Sequence, residues 1–297
     1  MRSLDLTTAT AGSVHSSPQR VPDLPATMRV GVAYSFEDVR VEDRPLPTVE
    51  PGEALIRVEA SGLCTGDVTP WYINQKAKKM GGAAPLGHEA CGRIVALGEG
   101  APSRFELGQR IVPHHHAPCL QPTCPFCAVG EYVQCPTWKT TGYDPGGMST
   151  FLKIDATCLA GDTQIVPHEG EAAVDPVDAA LCEPTACCVK AVTKRLHLPP
   201  PDTPGATLVI IGIGVMGMIN LRVARALWGA QGGRIVAVDR IDWRLDQARR
   251  WGADEVLDTR KVGLADGVRA LTDGLGAHAV LVGPGVVAVM QEAIEAT

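Results

Sequence analysis

Thr207-Leu208-Val209-Ile210-Ile211-Gly212-Ile213-Gly214-Val215-Met216-Gly217 is an apolar run that enters a glycine-spaced turn and leaves it as a helix. The helical pattern continues to about Trp228, with Ile219, Val223 and Leu227 forming one stripe at a spacing of four. A second apolar run, Arg234–Val238, ends in Asp239, about 20 residues after the last glycine. A single glycine motif says little, but strand, glycines, helix, strand and acid in this order form a dinucleotide fingerprint. Gly212 permits the tight turn, Gly214 lets backbone approach a pyrophosphate, and Gly217 lets helix and strand pack closely. Val215 and Met216 open the helix, whose free amides and positive dipole end suit phosphates. Asp239 is expected to accept hydrogen bonds from the ribose hydroxyls and to repel a 2′-phosphate, which favours NAD over NADP. Arg240 beside it tempers that preference.

Two more strands follow, near Glu255–Leu257 and Ala277–Val282, before Gly283-Pro284-Gly285 and a final amphipathic segment. A complete two-halved sheet of this kind has about six strands. Four are counted, so a part of roughly 30–60 residues is expected to be missing at the carboxyl end. The 297 residues, 45% of them apolar, are enough for two domains. The division read here is a tail at 1–27 with no regular period, a β-rich domain at 28–190 and the dinucleotide domain at 191–297. A net charge of −6 argues against nucleic acid. No apolar run approaches the ~20 residues of a membrane span, and the tail lacks the apolar block of a secretory signal. The expected setting is the cytoplasm.

The β-rich part reads as short strands broken by Gly and Pro. Met28–Tyr34 and Val39–Asp43 suggest a hairpin, Glu53–Ala60 a half-exposed alternating strand, and Cys91–Leu97 and Gln109–Val112 two more. Together they predict a barrel-like β domain.

Ten cysteines without a secretory signal point to metal rather than disulfides. Cys119-x4-Cys124-x2-Cys127-x7-Cys135 has the spacing of a closed tetrahedral zinc shell, which would pin an irregular, proline-rich lobe. Free thiols and disulfides are the competing readings and fit less well. A second constellation is dispersed: Cys64 in Gly62-Leu63-Cys64-Thr65-Gly66-Asp67, His88 and Glu89 in Pro85-Leu86-Gly87-His88-Glu89, and Glu183 in Cys182-Glu183-Pro184. Thiol, imidazole and carboxylate are the ligand set that holds zinc and leaves a position open. His114-His115-His116 cannot all share one face, so they are read as strand-end or supporting residues. Trp71 and Tyr72 are read as either facing a substrate or filling core.

These motifs, with Pro145-Gly146-Gly147, resemble the zinc-dependent alcohol dehydrogenases of the medium-chain dehydrogenase/reductase superfamily, from Met28 onward. The resemblance implies an α/β protein made of a GroES-like catalytic domain and a Rossmann domain, the latter truncated at its C-terminal end. It implies Cys64 and His88 as ligands of a catalytic zinc and Glu89 and Glu183 as carboxylates that ligate zinc or exchange with its water. Cys119, Cys124, Cys127 and Cys135 would hold a second, structural zinc, and the cofactor would be NAD. An acidic residue at 183 is similar to the sorbitol and threonine dehydrogenase branch, where ethanol-oxidising members have cysteine. The sequence departs from the family at the lobe, with four rather than two residues between the first two cysteines. It departs again at Gly66, where the family commonly starts its proton relay with Ser or Thr; Thr65 carries the nearest hydroxyl. The expected reaction is hydride transfer between a secondary alcohol or polyol and NAD, by a homo-dimer or tetramer that binds neither nucleic acid nor membrane. A non-catalytic zinc- and nucleotide-binding scaffold or sensor is the alternative, and a zinc-free quinone-reductase relative a third reading.

Overall fold

The computed structural model describes residues 13–297. They divide into two units, one ending at Glu183 and the other comprising Pro184–Thr297. The first contains β1 (Gln19–Arg20), β2 (Thr27–Ser35), β3 (Asp38–Pro45), β4 (Ala54–Gly62), β5 (Ala84–Pro85), β6 (Glu89–Leu97), β7 (Arg110–Val112), β8 (Tyr143–Asp144), β9 (Phe151–Ile154) and β10 (Gln164–Val166). β2 and β3 form the expected antiparallel hairpin, and β5 adds to the free edge of β2. The larger sheet runs β10-β7-β6-β4-β9-β8. Backbone bonds from Gly31 to Met148 (2.8 Å) and from Thr150 to Arg29 (3.0 Å) stitch the small sheet to it.

Two expectations need correction here. The strand at Glu53–Ala60 is not half-exposed along its length, because Ala54, Leu55 and Ile56 are all buried. Ala54 and Ile56 pack with Ile94, Phe105 and Leu152, while Leu55 packs on the other face with Val30, Val95 and Phe151. A strand covered on both sides loses the simple alternation. Nor is the stretch before Met28 a structureless tail where it is described. Gln19 and Arg20 pair with Leu97 and Ala96 of β6, Val14 bridges to Pro102, and Val21 and Leu24 pack against the Leu55 cluster. Pairing with strands distant in the same chain supplies the order that composition withholds; residues 1–12 lie outside the described part.

The second unit holds β11 (Thr207–Ile211), β12 (Arg234–Asp239), β13 (Glu255–Asp258) and β14 (Ala279–Val282), parallel throughout and ordered β13-β12-β11-β14. Both faces of β11 are buried, Leu208 and Ile210 with one apolar cluster and Val209 and Ile211 with another, as a helix-covered parallel sheet requires. The helix after the glycines spans Val215–Leu227. Its buried stripe is Met218, Leu221, Val223 and Ala224, whereas Leu227 is 45% exposed and Ile219 only partly buried. The stripe is thus rotated from the one expected, and it carries Asn220 inward, where its Nδ2 donates to the Met216 carbonyl at 2.9 Å. Among the described residues no helix is long and apolar enough to cross a membrane.

Candidate metal centre and dinucleotide turn

Antiparallel pairing of β4 with β6 sets Gly62 opposite Glu89 and Ser61 opposite Ala90. The chain leaving β4 therefore delivers Cys64 beside the chain that brings His88 into β6. Gly62 is needed for this, because a Cβ there would lie 2.0 Å from Glu89 Oε2. Gly87, at φ +86°, adopts a conformation that side chains disfavour, and a Cβ on it would meet the Met148 nitrogen at 2.7 Å. Pro145-Gly146-Gly147 supplies the clamp: Gly147 N donates to Gly87 O and Met148 N to Leu86 O, each at 2.9 Å. After β4 the short turn Thr65–Val68 is capped by Cys64 Sγ, which accepts from Gly66 N at 3.4 Å.

The result is that one ligand atom each of Cys64, His88 and Glu89 lies within 4.8 Å of the other two. A zinc ion with bonds of 2.0–2.3 Å touches all three after a contraction of about 1 Å. Glu183 lies in the first turn of the helix Cys182–Lys190. It is outside that three-residue set, yet its charge reaches Cys64, His88 and Glu89. Thr65 is exposed, as are Trp71 (69%) and Tyr72 (41%), so neither aromatic fills core.

The charges around this set are unbalanced. Burial pushes the Cys64 thiol up, the Gly66 N–H pulls it down, and the carboxylates of Glu89, Asp67 and Glu183 add smaller upward pushes, so the net shift is upward. Burial, with the charges of Glu183 and Asp67, likewise raises Glu89. His88 is raised chiefly by Asp67. A thiol and a carboxyl group, Cys64 and Glu89, each held toward its protonated form among further acidic side chains, are the environment that a divalent cation relieves, so the donor set fits zinc.

Asp67 was visible in its motif but had no assigned role. It is buried, its Oδ1 accepts from Gly87 N at 3.4 Å, and its Oδ2 stands 3.6 Å from His88 Nδ1 with no hydrogen-bond partner of its own. Burial raises its carboxyl, but His88 outweighs that and the net shift is downward. A carboxylate behind a ligand imidazole fixes its tautomer and orientation. The only sequence signal for it was its spacing from Cys64.

Cys119, Cys124, Cys127 and Cys135 also bring their sulfurs within 4.8 Å of one another. The Cys119–Cys127 separation is 3.8 Å, and the edge of a tetrahedron with 2.3 Å zinc–sulfur bonds is about 3.8 Å. The Cys119 N–H at 3.3 Å lowers the buried Cys135 thiol to about 6, while burial and its neighbours push Cys127 to about 12. Four thiols in such mutual contact fit a closed metal shell. His114, His115 and His116 follow β7 in a loop and join neither metal set. His115 nevertheless stacks near the first set, its ring 5.2 Å from that of His88, and burial lowers it to about 3, so it is neutral.

In the second unit Gly212 has φ +85°, and a Cβ there would strike Pro284 Cδ at 2.7 Å. A Cβ on Gly217 would fall 2.1 Å from Gly212 O, whereas one on Gly214 would meet nothing within 4 Å. The turn is therefore tight on its inner side and open at Gly214, where Val215 and Met216 begin the helix exposed. That open amide end suits a pyrophosphate. Asp239 is more inward than a ribose ligand needs to be. Its Oδ2 accepts from Ile213 N (2.7 Å) and its Oδ1 from Arg240 N (2.7 Å) and Ile241 N (3.0 Å), so it braces the glycine turn. Arg240 is exposed, and Arg244 reaches to 3.6 Å from Asp239.

Residues 50–161 match the family model for the alcohol dehydrogenase GroES-like domain, and residues 212–297 that for zinc-binding dehydrogenase. The chain is 30% identical over 275 residues to an erythritol/L-threitol dehydrogenase of Mycolicibacterium smegmatis, covering 88% of this chain and 71% of that protein. It is 27% identical to a sorbitol dehydrogenase of Bacillus subtilis, with coverage of 91% and 72%. Among solved structures, an Escherichia coli alcohol dehydrogenase in complex with NADH superposes with a TM-score of 0.73 at 24% identity, covering 91% of this chain and 73% of that one. A zinc-binding dehydrogenase from Sinorhizobium meliloti bound to NADP gives 0.73 at 23% identity, with 92% and 74% covered. At these identities the structural likenesses speak for the fold.

Proposed function

Because the chain belongs to the zinc-dependent alcohol dehydrogenases of the medium-chain dehydrogenase/reductase superfamily, we propose that it interconverts a secondary alcohol or polyol and the ketone, with NAD as partner and Cys64, His88 and Glu89 around the catalytic zinc. The observation that carries this reading is the convergence of those three side chains from separate stretches. Zinc and NAD, when bound, would supply Lewis acidity toward the substrate hydroxyl and an acceptor for the carbinol hydride. Cys64 and Glu89 provide the anionic donors. His88, oriented by Asp67, provides the neutral one. Glu183 acts on the same site electrostatically and would be the carboxylate that exchanges with water on a bound ion. Gly66 offers no hydroxyl, so the proton would leave through the exposed Thr65, through a carboxylate such as Glu89, or through water.

The four lobe cysteines hold a second zinc that is purely structural, since four thiolates leave no open position. Gly212, Gly214 and Gly217 with the Val215 and Met216 amides receive the pyrophosphate. The buried charge of Asp239 disfavours a 2′-phosphate and so favours NAD over NADP, while Arg240 flanks the ribose region. The names of the erythritol/L-threitol and sorbitol dehydrogenase relatives support a polyol substrate. The test is NADH formation on a panel of polyols, simple secondary alcohols and amino alcohols, with and without chelator. Turnover that chelator abolishes and zinc restores is expected; zinc-replete protein with no turnover on any member contradicts the reading.

A further inference from the structure

The histidine loop after β7 leaves one side chain unaccounted for. His116 Nδ1 contacts the Thr141 carbonyl at 2.8 Å, and the ring of His114 packs edge-on to Trp138 with centroids 5.3 Å apart. His115 differs. Its ring lies 5.2 Å from His88, 4.6 Å from His116 and 6.1 Å from Tyr143. Neither of its nitrogens makes a hydrogen bond within the described residues, and Nδ1 alone is sealed from solvent. Tyr143 does not satisfy it: its hydroxyl donates to Pro113 O at 2.6 Å, and no hydrogen bond joins it to Nδ1. No hydrogen bond among the described residues therefore engages the ring, and Nε2, the nitrogen that is not sealed, is left open beside the ligand set. It is also outside the set of atoms able to share a cation with Cys64, His88 and Glu89.

We infer that His115 reads the substrate: its open ring nitrogen, Nε2, hydrogen-bonds a second hydroxyl on the carbon next to the reacting carbinol, which selects vicinal diols over simple secondary alcohols. This rests on the dehydrogenase reading above and names its substrate class. The geometry is suited to the task. A ring about 5 Å from a ligand imidazole is one small group away from whatever the metal holds, and a neighbouring hydroxyl is that small group. Imidazole can donate to or accept from a hydroxyl, so either orientation of the diol is served. His114 and His116, turned toward Trp138 and Thr141, are not placed to substitute for it.

The test compares kcat/KM for 2,3-butanediol with that for 2-butanol in the zinc-loaded protein, its His115→Phe variant and its His115→Gln variant. The phenylalanine keeps the ring and removes both nitrogens; the glutamine returns a hydrogen-bonding group. The diol-to-monol ratio is expected to fall about tenfold or more in His115→Phe, to recover at least partly in His115→Gln, and to do so with zinc content unchanged. Parallel loss on both substrates, or an unmoved ratio, overturns the inference. So does loss of one zinc in His115→Phe, which would make the residue a ligand. If the wild type oxidises neither alcohol, nor any other on the panel, the dehydrogenase reading fails first and takes this one with it. That result is distinct from an active enzyme whose ratio ignores His115.

Discussion

Replacing Gly62 with alanine should disable the catalytic metal site without disturbing the fold. The added Cβ would stand 2.0 Å from Glu89 Oε2, 3.0 Å from its Cβ and 3.1 Å from its Cδ. Ordinary carbon contacts begin near 3.5 Å, so the carboxylate must move by about 1.5 Å. That exceeds the tolerance of a metal bond, which is about 0.2 Å. Gly62 is not in a left-handed conformation, and alanine in a strand costs no backbone strain, so unfolding should change little. Displacing one of three donors is expected to weaken zinc at this site about 10- to 100-fold, or about 1.4–2.8 kcal/mol. Competition against a chromophoric chelator measures it, with the lobe zinc as the internal reference. The decisive control is the cycle with Glu89→Ala, which removes the carboxylate that the methyl strikes. Gly62→Ala should then cost much less in the Glu89→Ala background than alone. Equal costs in both backgrounds, or a single variant that holds zinc as tightly as the parent, would refute the reasoning.

Three further outcomes follow from the same geometry. Asp67→Asn removes the charge 3.6 Å from His88 Nδ1 and should lower zinc affinity at the catalytic site about 10- to 100-fold, by the same competition assay. Cys127→Ser should cost one zinc per chain and open the lobe, so that limited proteolysis cuts between residues 113 and 142 while the β4–β6 core stays protected. Gly217→Ala places a Cβ 2.1 Å from Gly212 O, forcing the helix off the strand. NADH binding, followed by fluorescence, should weaken at least about tenfold, with both zinc ions retained.

Much of the fold could be read from residues whose pattern is local. The β11 run, its glycines and the strand ending at Asp239 announced a parallel dinucleotide sheet because a doubly covered strand is apolar throughout. Cys64, His88 and Glu89 could be grouped on ligand chemistry alone, and the structure brings them together through the Gly62–Glu89 register. What the sequence hid depended on partners distant in the chain. Leu55 looks solvent-facing until the β2–β3 layer covers it. Gln19 and Arg20 look like tail until β6 offers a free edge. Asp67 reads as one more polar turn residue until Gly87 and His88 close over it. Asp239 illustrates the reverse: a motif pointed to ribose, while three backbone N–H groups of the turn and the following residues occupy the carboxylate here. Three adjacent histidines have no period that could single out His115, whose distinction is its place beside His88.

The central claim is that a cation held by Cys64, His88 and Glu89 does the chemistry while the four-cysteine lobe holds another for structure. Elemental zinc analysis of the parent and of Cys64→Ser, run beside polyol-dependent NADH formation on the same samples, tests it most directly. The account predicts that this one substitution takes the protein from two zinc ions to one and abolishes turnover while leaving the fold intact. Full zinc and undiminished turnover in Cys64→Ser would contradict it.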